Sequence, residues 1–194
     1  MTDKSKAPPD RKTALLDSAE RAARSRGFDG FSYADLAKDV GIRTASIHYH
    51  FPSKADLSTA LMQRYHESFA AICEEIDAHH ATGGARLQAL IDRYRIAHND
   101  AQWVCLCVAF SISRESLSPE VVGQISRFRA MMRKWIGAVF ELGRSDGTIL
   151  NTSDSAIEAA ATLSLLEGAQ LSARAEENPA RFEEAMAHLA SRVR

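Results

Sequence analysis

The sequence predicts an all-α fold of about nine helices, a small N-terminal helical unit followed by a larger helical body. Three observations predict it. Apolar residues recur at steps of three and four through most of the chain, the period of one face of a helix. No segment sustains the apolar–polar alternation of a half-buried strand, and Asp146-Gly147 lies between helical patterns rather than between β-branched runs. Helix-start signals recur as well, among them Ser32, Ser53, Ser118-Pro119 and Asn178-Pro179.

The first helix is expected from about Asp10 to Ser25, with Leu15, Ala19, Ala22 and Ala23 on one face and Gly27 as its stop. Ser32 then reads as an N-cap with Asp35 three residues on, the reciprocal pattern of a capping box. The short helix it opens has Leu36, Ala37 and Val40 as its apolar side and ends at Gly41. A third short helix covers Thr44 to His50 and is ended by Pro52. Ser53, with Asp56 three residues later, caps a long fourth helix that repeats Leu57, Leu61, Tyr65, Phe69, Ile72 and Ile76 and is closed by Gly83-Gly84. Further helices are expected over 85–99, 101–115, 118–145, 153–175 and 179–193. Ser118-Pro119-Glu120 places a cap, a proline at the first helical position and an acid in sequence, and Asn178-Pro179 repeats the device. The last helix carries Phe182, Ala185, Met186, Leu189, Ala190 and Val193 as a stripe. The division that follows is a flexible tail over 1–9, a three-helix unit over 10–56 and a helical body over 57–194.

Hydrophobic residues make up 45% and charged residues 25% of the 194, a composition that excludes a disordered chain. No run reaches the roughly 18 uninterrupted apolar residues of a membrane span. The start, MTDKSKAPPDRK, lacks the apolar core of a signal peptide, so a cytoplasmic protein without membrane contact is expected. Cys73, Cys105 and Cys107 are too few, and odd in number, for a disulfide scaffold. Net charge is −1, yet residues 1–54 carry ten Lys/Arg against seven Asp/Glu while the remainder carries 14 against 18. A basic end on an acidic body hints at a nucleic-acid partner for that end.

The layout of two short helices separated by Asp39-Val40-Gly41-Ile42 is that of a helix-turn-helix, whose second helix enters the major groove. Thr44, Ser46 and Tyr49 can donate to phosphates, Arg43 can reach a guanine edge or a phosphate, and Ala45 lets the helix approach closely. Ser32, Tyr33, His48 and His50 complete the expected surface, and Lys54 near the start of the fourth helix is a candidate phosphate contact. His48 and His50 are two residues apart, so on a helix they point about 200° apart and do not share an ion. No metal site, cofactor or catalytic residue is expected, since the chain has no glycine-rich phosphate loop, nucleophile elbow or metal-spaced cluster.

The stretch SYADLAKDVGIRTASIHYHFPSKADL resembles the DNA-binding domain of TetR-family transcriptional regulators, through Leu36-Ala37, Gly41-Ile42, His50-Phe51 and Lys54 with Leu57. Arg43 stands where that family commonly has serine, which removes the expected cap of the third helix; Ala45 stands for a common glycine and His48 for a common tyrosine. WVCLCVAFSISRESLSPEV, LSLLEGAQLSARA and NPARFEEAMAHL are similar, more weakly, to the C-terminal half of a branch of the family. The resemblance implies a homodimer closed by the last two helices of each subunit, a small-molecule site between the middle helices, and a near-palindromic double-stranded operator read by recognition helices roughly 34–40 Å apart. A regulator of that kind is expected to be a repressor released by its effector.

Trp103, Cys107, Phe110 and Arg114 share a face if 101–115 is one helix, and with Tyr94, His98, Trp135, Phe140, Glu167 and Gln170 they are the candidate lining of a site for an apolar or aromatic effector. Cys105, two residues from Cys107, would point away from it, and either thiol could react with an electrophile if Arg114 or His98 lowered its pKa. Leu163, Leu166 and Gly168, with Phe182, Met186 and Leu189, are the candidate dimer contacts. The alternative within the same class is a thiol-sensing regulator using Cys105 or Cys107; those of other classes are an enzyme or metal protein using His48, His50 and the cysteines, and a helical adaptor that does not bind DNA.

Overall fold

The computed structural model describes residues 10–194, so the tail expected over 1–9 lies outside the described residues. Among the described residues it contains nine α-helices: α1 (Arg11–Arg26), α2 (Tyr33–Val40), α3 (Thr44–His50), α4 (Lys54–His79), α5 (Gly83–Ala97), α6 (Leu106–Ser111), α7 (Pro119–Ser145), α8 (Ser155–Ala175) and α9 (Ala180–Ala190). A single 3-10 turn, Arg114–Ser116, precedes α7.

The first four helices start and stop where short-range chemistry puts them. Ser32 and Ser53 each form a complete capping box, with Asp35 and Asp56 accepting from the cap backbone at 2.7 and 3.0 Å. Gly41 ends α2 in the left-handed region (φ 72°, ψ 35°), a conformation that costs a residue with a Cβ, and the Ile42 amide folds back to the Ala37 carbonyl at 3.0 Å. α1, α2 and α3 enclose Leu15, Ala19, Leu36, Ile47 and Phe51 and sit on the N-terminal part of α4. Arg64 on α4 ties the two together through Asp17 at 2.6 Å and Glu20 at 2.8 Å on α1. In the body α7 packs along α8, α4 and α5 pack on α7, and α9 packs on α8 and reaches α5. At 26 residues α4 is about 39 Å long and runs from the small unit into the body.

Three boundaries differ from the sequence reading. Gly83-Gly84 does not close α4, which ends at His79; it opens α5. A Cβ on Gly83 would stand 2.2 Å from the Gly143 backbone nitrogen on α7, so the two helices cross at a distance only glycine permits. The turn after α7 also caps α5, because Asp146 and Thr148 accept from the Gly83 and Gly84 amides at 2.8 Å each. The helix expected over 101–115 is broken: Asn99, Asp100 and Ala101 adopt φ 48°, 54° and 65°, and α6 begins only at Leu106. The last helix stops at Ala190 because 191–194 pairs with 148–150, including an isolated bridge between Ile149 and Val193.

Candidate nucleic-acid interface and regulatory core

The recognition surface is built by putting three anchors under α3 and leaving its other side bare. Ile47 and Phe51 are buried, 0% and 3% exposed. The Tyr33 hydroxyl donates to the carbonyls of Phe51 at 2.9 Å and Ser53 at 2.6 Å, which fixes the corner between α3 and α4. Burial, with the Asp56 carboxylate nearby, pushes the Tyr33 phenol up to about 12, so it stays a donor. His48 lies against the Tyr33 ring at 4.9 Å with Nδ1 3.2 Å from the Pro52 carbonyl. What remains outward is Arg43, Thr44, Ala45, His48 and Tyr49, the last 83% exposed, with Ser46 and His50 half-buried beside them. As expected from Arg43, no side chain caps α3, so its first amides keep free donors beside that surface.

Two predicted contacts are placed differently. The Lys54 ammonium does not project from the surface: it donates to the Phe31 carbonyl at 2.8 Å and sits over the rings of Phe31 and Phe28 at 4.3 and 4.6 Å. Burial lowers its pKa, and the group works as a strut between α2 and α4. Ser32 is committed to its capping box, donating to Asp35 at 2.7 Å. No three His, Cys, Asp or Glu side chains converge as a metal site among the described residues.

The ten candidate effector residues do not form one lining. Tyr94, Cys107, Glu167 and Gln170 come together around Cys105 in the sealed centre of the body, each at most 7% exposed, whereas Phe110, also buried, packs edge-on against Phe28 at 5.5 Å on the side of the small unit. Gln170 accepts from the Cys105 amide at 2.8 Å, and Glu167 accepts from Arg129 Nη1 at 2.7 and 2.6 Å. His98 is buried at the edge, stacked on Phe182 at 4.7 Å and accepting from the Ala101 amide at 2.8 Å, and burial lowers its pKa. Trp103 is not helical and faces α1, where Arg24 lies 5.0 Å over its ring. Arg114 is exposed on the 3-10 turn. Trp135 donates outward to Asp77 at 3.1 Å, and Phe140 lies under Arg192 at 5.1 Å near Glu158, about 13 Å along α8 from Glu167.

The cysteines also differ from the sequence geometry. Cys105 precedes α6 rather than lying within it, so the helical rule that turns i and i+2 apart does not hold and its thiol meets that of Cys107. A hydrogen bond with Cys107, helped by Tyr65 at 3.6 Å, lowers Cys105; neither Arg114 nor His98 takes part. Burial pushes Cys107 up and Cys73 to about 12, which keeps both thiols protonated and inert.

Sequence reasoning missed Arg24. From α1 this 8%-exposed side chain donates to the carbonyls of Ala97 at 2.6 Å and Val104 at 3.0 Å, clamping both ends of the left-handed loop onto the small unit. Arg174 of α8 adds bonds to the Ser25 and Gln102 carbonyls. Nothing local marks these arginines in a chain with 24 Lys and Arg.

Of the six candidate dimer residues, Leu163, Leu166, Phe182, Met186 and Leu189 are at most 2% exposed, packed within the subunit's own core. Gly168 alone faces outward, with nothing within 4 Å of where its Cβ would be. It belongs to a second stripe of α8, Ile157, Ala160, Ala161, Ser164, Gly168, Leu171 and Ala175, in which Ile157 is 64% and Leu171 39% exposed.

Comparison with known proteins agrees with this architecture. Residues 15–61 match the family described as "Bacterial regulatory proteins, tetR family". The HTH-type transcriptional regulator TtgR of Pseudomonas putida is 37% identical over 54 residues, 28% of this chain and 26% of that protein. The biofilm operon icaADBC HTH-type negative transcriptional regulator IcaR of Staphylococcus aureus is 39% identical over 46 residues, 24% of this chain and 25% of that protein. The chain thus matches about a quarter of the length of these curated relatives. A crystal structure of a TetR-family transcriptional regulator from Agrobacterium tumefaciens superposes with a TM-score of 0.88 at 30% identity, covering 94% of this chain and 97% of that one. No helix of the described residues is long and apolar enough to cross a membrane. With that identity sustained over nearly both whole chains and the family's own pattern across α1 to α4, this chain belongs to the TetR family of bacterial regulatory proteins.

Proposed function

We propose that the chain is a homodimeric DNA-binding transcriptional repressor that leaves its operator when a small molecule binds the body. The observation that carries this is the bare face of α3, where Arg43, Thr44, Ala45 and Tyr49 stand outward on a helix braced from behind by Ile47, Phe51 and Tyr33. Such a helix can slide into a major groove with Ala45 at the closest approach, while Arg43 and Tyr49 reach base edges or phosphates. The outward stripe of α8 is a natural mate for its own copy, since a two-fold axis brings the same patch to both sides. IcaR, matched over 46 residues, is named a negative regulator, which supports repression.

Two connections lead from the body to the reading heads. α4 begins beside α3 and passes through the core, so a tilt of its far end moves α3. The second is the loop of residues 98–105, held by Gln170 on the body side and by Arg24 on the α1 side. An effector that favours a different arrangement of either connection changes the spacing of the two recognition helices, and acts only through its differential affinity for the two states.

The test is fluorescence anisotropy on DNA from upstream of the chain's own coding sequence against scrambled DNA, over a salt series. The account expects at least about a hundredfold preference for the native sequence and a steep fall of affinity with salt. Equal, weak binding to both DNAs at every salt would move the non-DNA adaptor ahead.

A further inference from the structure

We propose that the effector is a neutral aromatic molecule carrying a hydrogen-bond acceptor, and that the Tyr94 hydroxyl is the donor that receives it. The inference rests on the ligand-responsive reading above and names the chemistry of its site. Tyr94 is 1% exposed, and its hydroxyl finds no hydrogen-bond partner among the described residues. Buried hydroxyls are nearly always bonded, so an orphan in the centre of a body marks a partner yet to arrive.

The polar atoms around it are already committed. Gln170 Oε1 takes the Cys105 amide, the Tyr65 hydroxyl donates to the Cys105 thiol, and both Glu167 oxygens take Arg129. Burial, with Glu167 and the thiols of Cys105, Cys107 and Cys73 acting in the same direction, keeps the Tyr94 phenol protonated, so it offers a proton rather than a charge.

The surroundings fix the rest of the ligand. Phe69 meets Tyr94 at 6.1 Å, and Phe69, Tyr65 and Phe128 stand 4.8 to 5.4 Å from one another, an aromatic wall that suits a flat ring in edge or offset contact. Both guanidiniums near the cluster are committed: Arg129 is paired with Glu167, and Arg24, 5.9 Å from the Tyr65 ring, is held by Glu20 and by the Ala97 and Val104 carbonyls. An anionic ligand would meet Glu167 with no free cation, and a cationic one would compete with Arg129, so a neutral molecule is the class that enters without an unpaired buried charge. The cluster is sealed in this conformation, so binding and opening are coupled, as they must be for a ligand that shifts an equilibrium.

The test uses the full chain and six ring probes: acetophenone, methyl benzoate and 2-acetylnaphthalene as neutral acceptors, benzoate and benzylammonium as charged analogues, and ethylbenzene lacking the acceptor. Calorimetric titration of wild type and Tyr94→Phe, with thermal melts of both, gives the readout. At least one neutral acceptor should bind wild type about tenfold more tightly than both ions and ethylbenzene, and Tyr94→Phe should lose about tenfold for that probe while melting no lower than wild type without ligand. The proposal is overturned if an ion binds as well as the neutral acceptors, if no neutral acceptor binds, if Tyr94→Phe binds unchanged, or if it melts lower, which would mean the hydroxyl already has its partner. Operator anisotropy on the same samples separates the two readings: intact DNA binding without probe binding sinks this inference alone, and absent DNA binding by wild type sinks the regulatory reading.

Discussion

Tyr49 and Tyr33 lie on neighbouring helices and do opposite things. Tyr49 stands 83% exposed on α3 with no structural task, whereas Tyr33 spends its hydroxyl on the carbonyls that hold α3 against α4. Tyr49→Ala should therefore weaken operator binding about tenfold with the melting temperature nearly unchanged, since substitutions on such surfaces usually move stability by less than about 0.5 kcal/mol. Anisotropy and a thermal melt on the same preparation check both halves. Tyr33→Phe should do the reverse at first, costing about 1 kcal/mol of stability, with any loss of affinity following from the loosened corner. Arg24→Met keeps the apolar stem and removes the charge, leaving the Ala97 and Val104 carbonyls without their donor. It should cost about 3 kcal/mol in denaturant unfolding and raise hydrogen exchange over residues 98–105.

The helices of the small unit were legible because each of their signals is local. Ser32 with Asp35, Ser53 with Asp56, and Gly41 act within three residues of the boundary they set. The sequence reading ended one helix at 99 and opened the next at 101, but that 101–105 stays non-helical was not legible, because the groups that hold it, Arg24 and Gln170, lie tens of residues away in sequence. The same cause scattered the predicted effector lining: Trp103 and Arg114 were placed on a helix that does not exist there. α8 failed in another way. Both of its faces are apolar and small, so the pattern could not say that Leu163 and Leu166 belong to the core and Gly168 to the surface. Gly83→Ala tests the crossing of α5 and α7. Its Cβ would meet backbone rather than a side chain that could move, and about 3 kcal/mol of destabilisation is expected. At the far end of α8, the Arg192 guanidinium and the Ser153 amide hold the Glu158 carboxyl down to about 2. A depressed carboxylate stabilises the fold above its ordinary range and loses that contribution as pH falls toward the depressed value. Glu158→Gln should lower the melting temperature at neutral pH and flatten its decline between about pH 5 and 3, read by melts across that range.

For the molecule as a whole, function depends on two copies holding two recognition helices at one spacing. The outward stripe of α8 is where the copies are proposed to meet, so Ser164→Arg should leave the subunit folded, shift the mass in solution from dimer to monomer, and weaken operator binding by at least about a hundredfold. Light scattering with anisotropy reads both, and a monomer that still bound DNA at full affinity would remove the dimer from the account. The most direct test of the central claim is hydroxyl-radical footprinting of the DNA upstream of the chain's own coding sequence, with wild type and Tyr49→Ala side by side. The account predicts two protected half-sites related by a dyad, with centres about 10 base pairs apart or slightly more, both faded in the variant. Protection with no dyad, or none in either lane at saturating protein, would contradict the claim that this chain reads DNA with a pair of α3 helices.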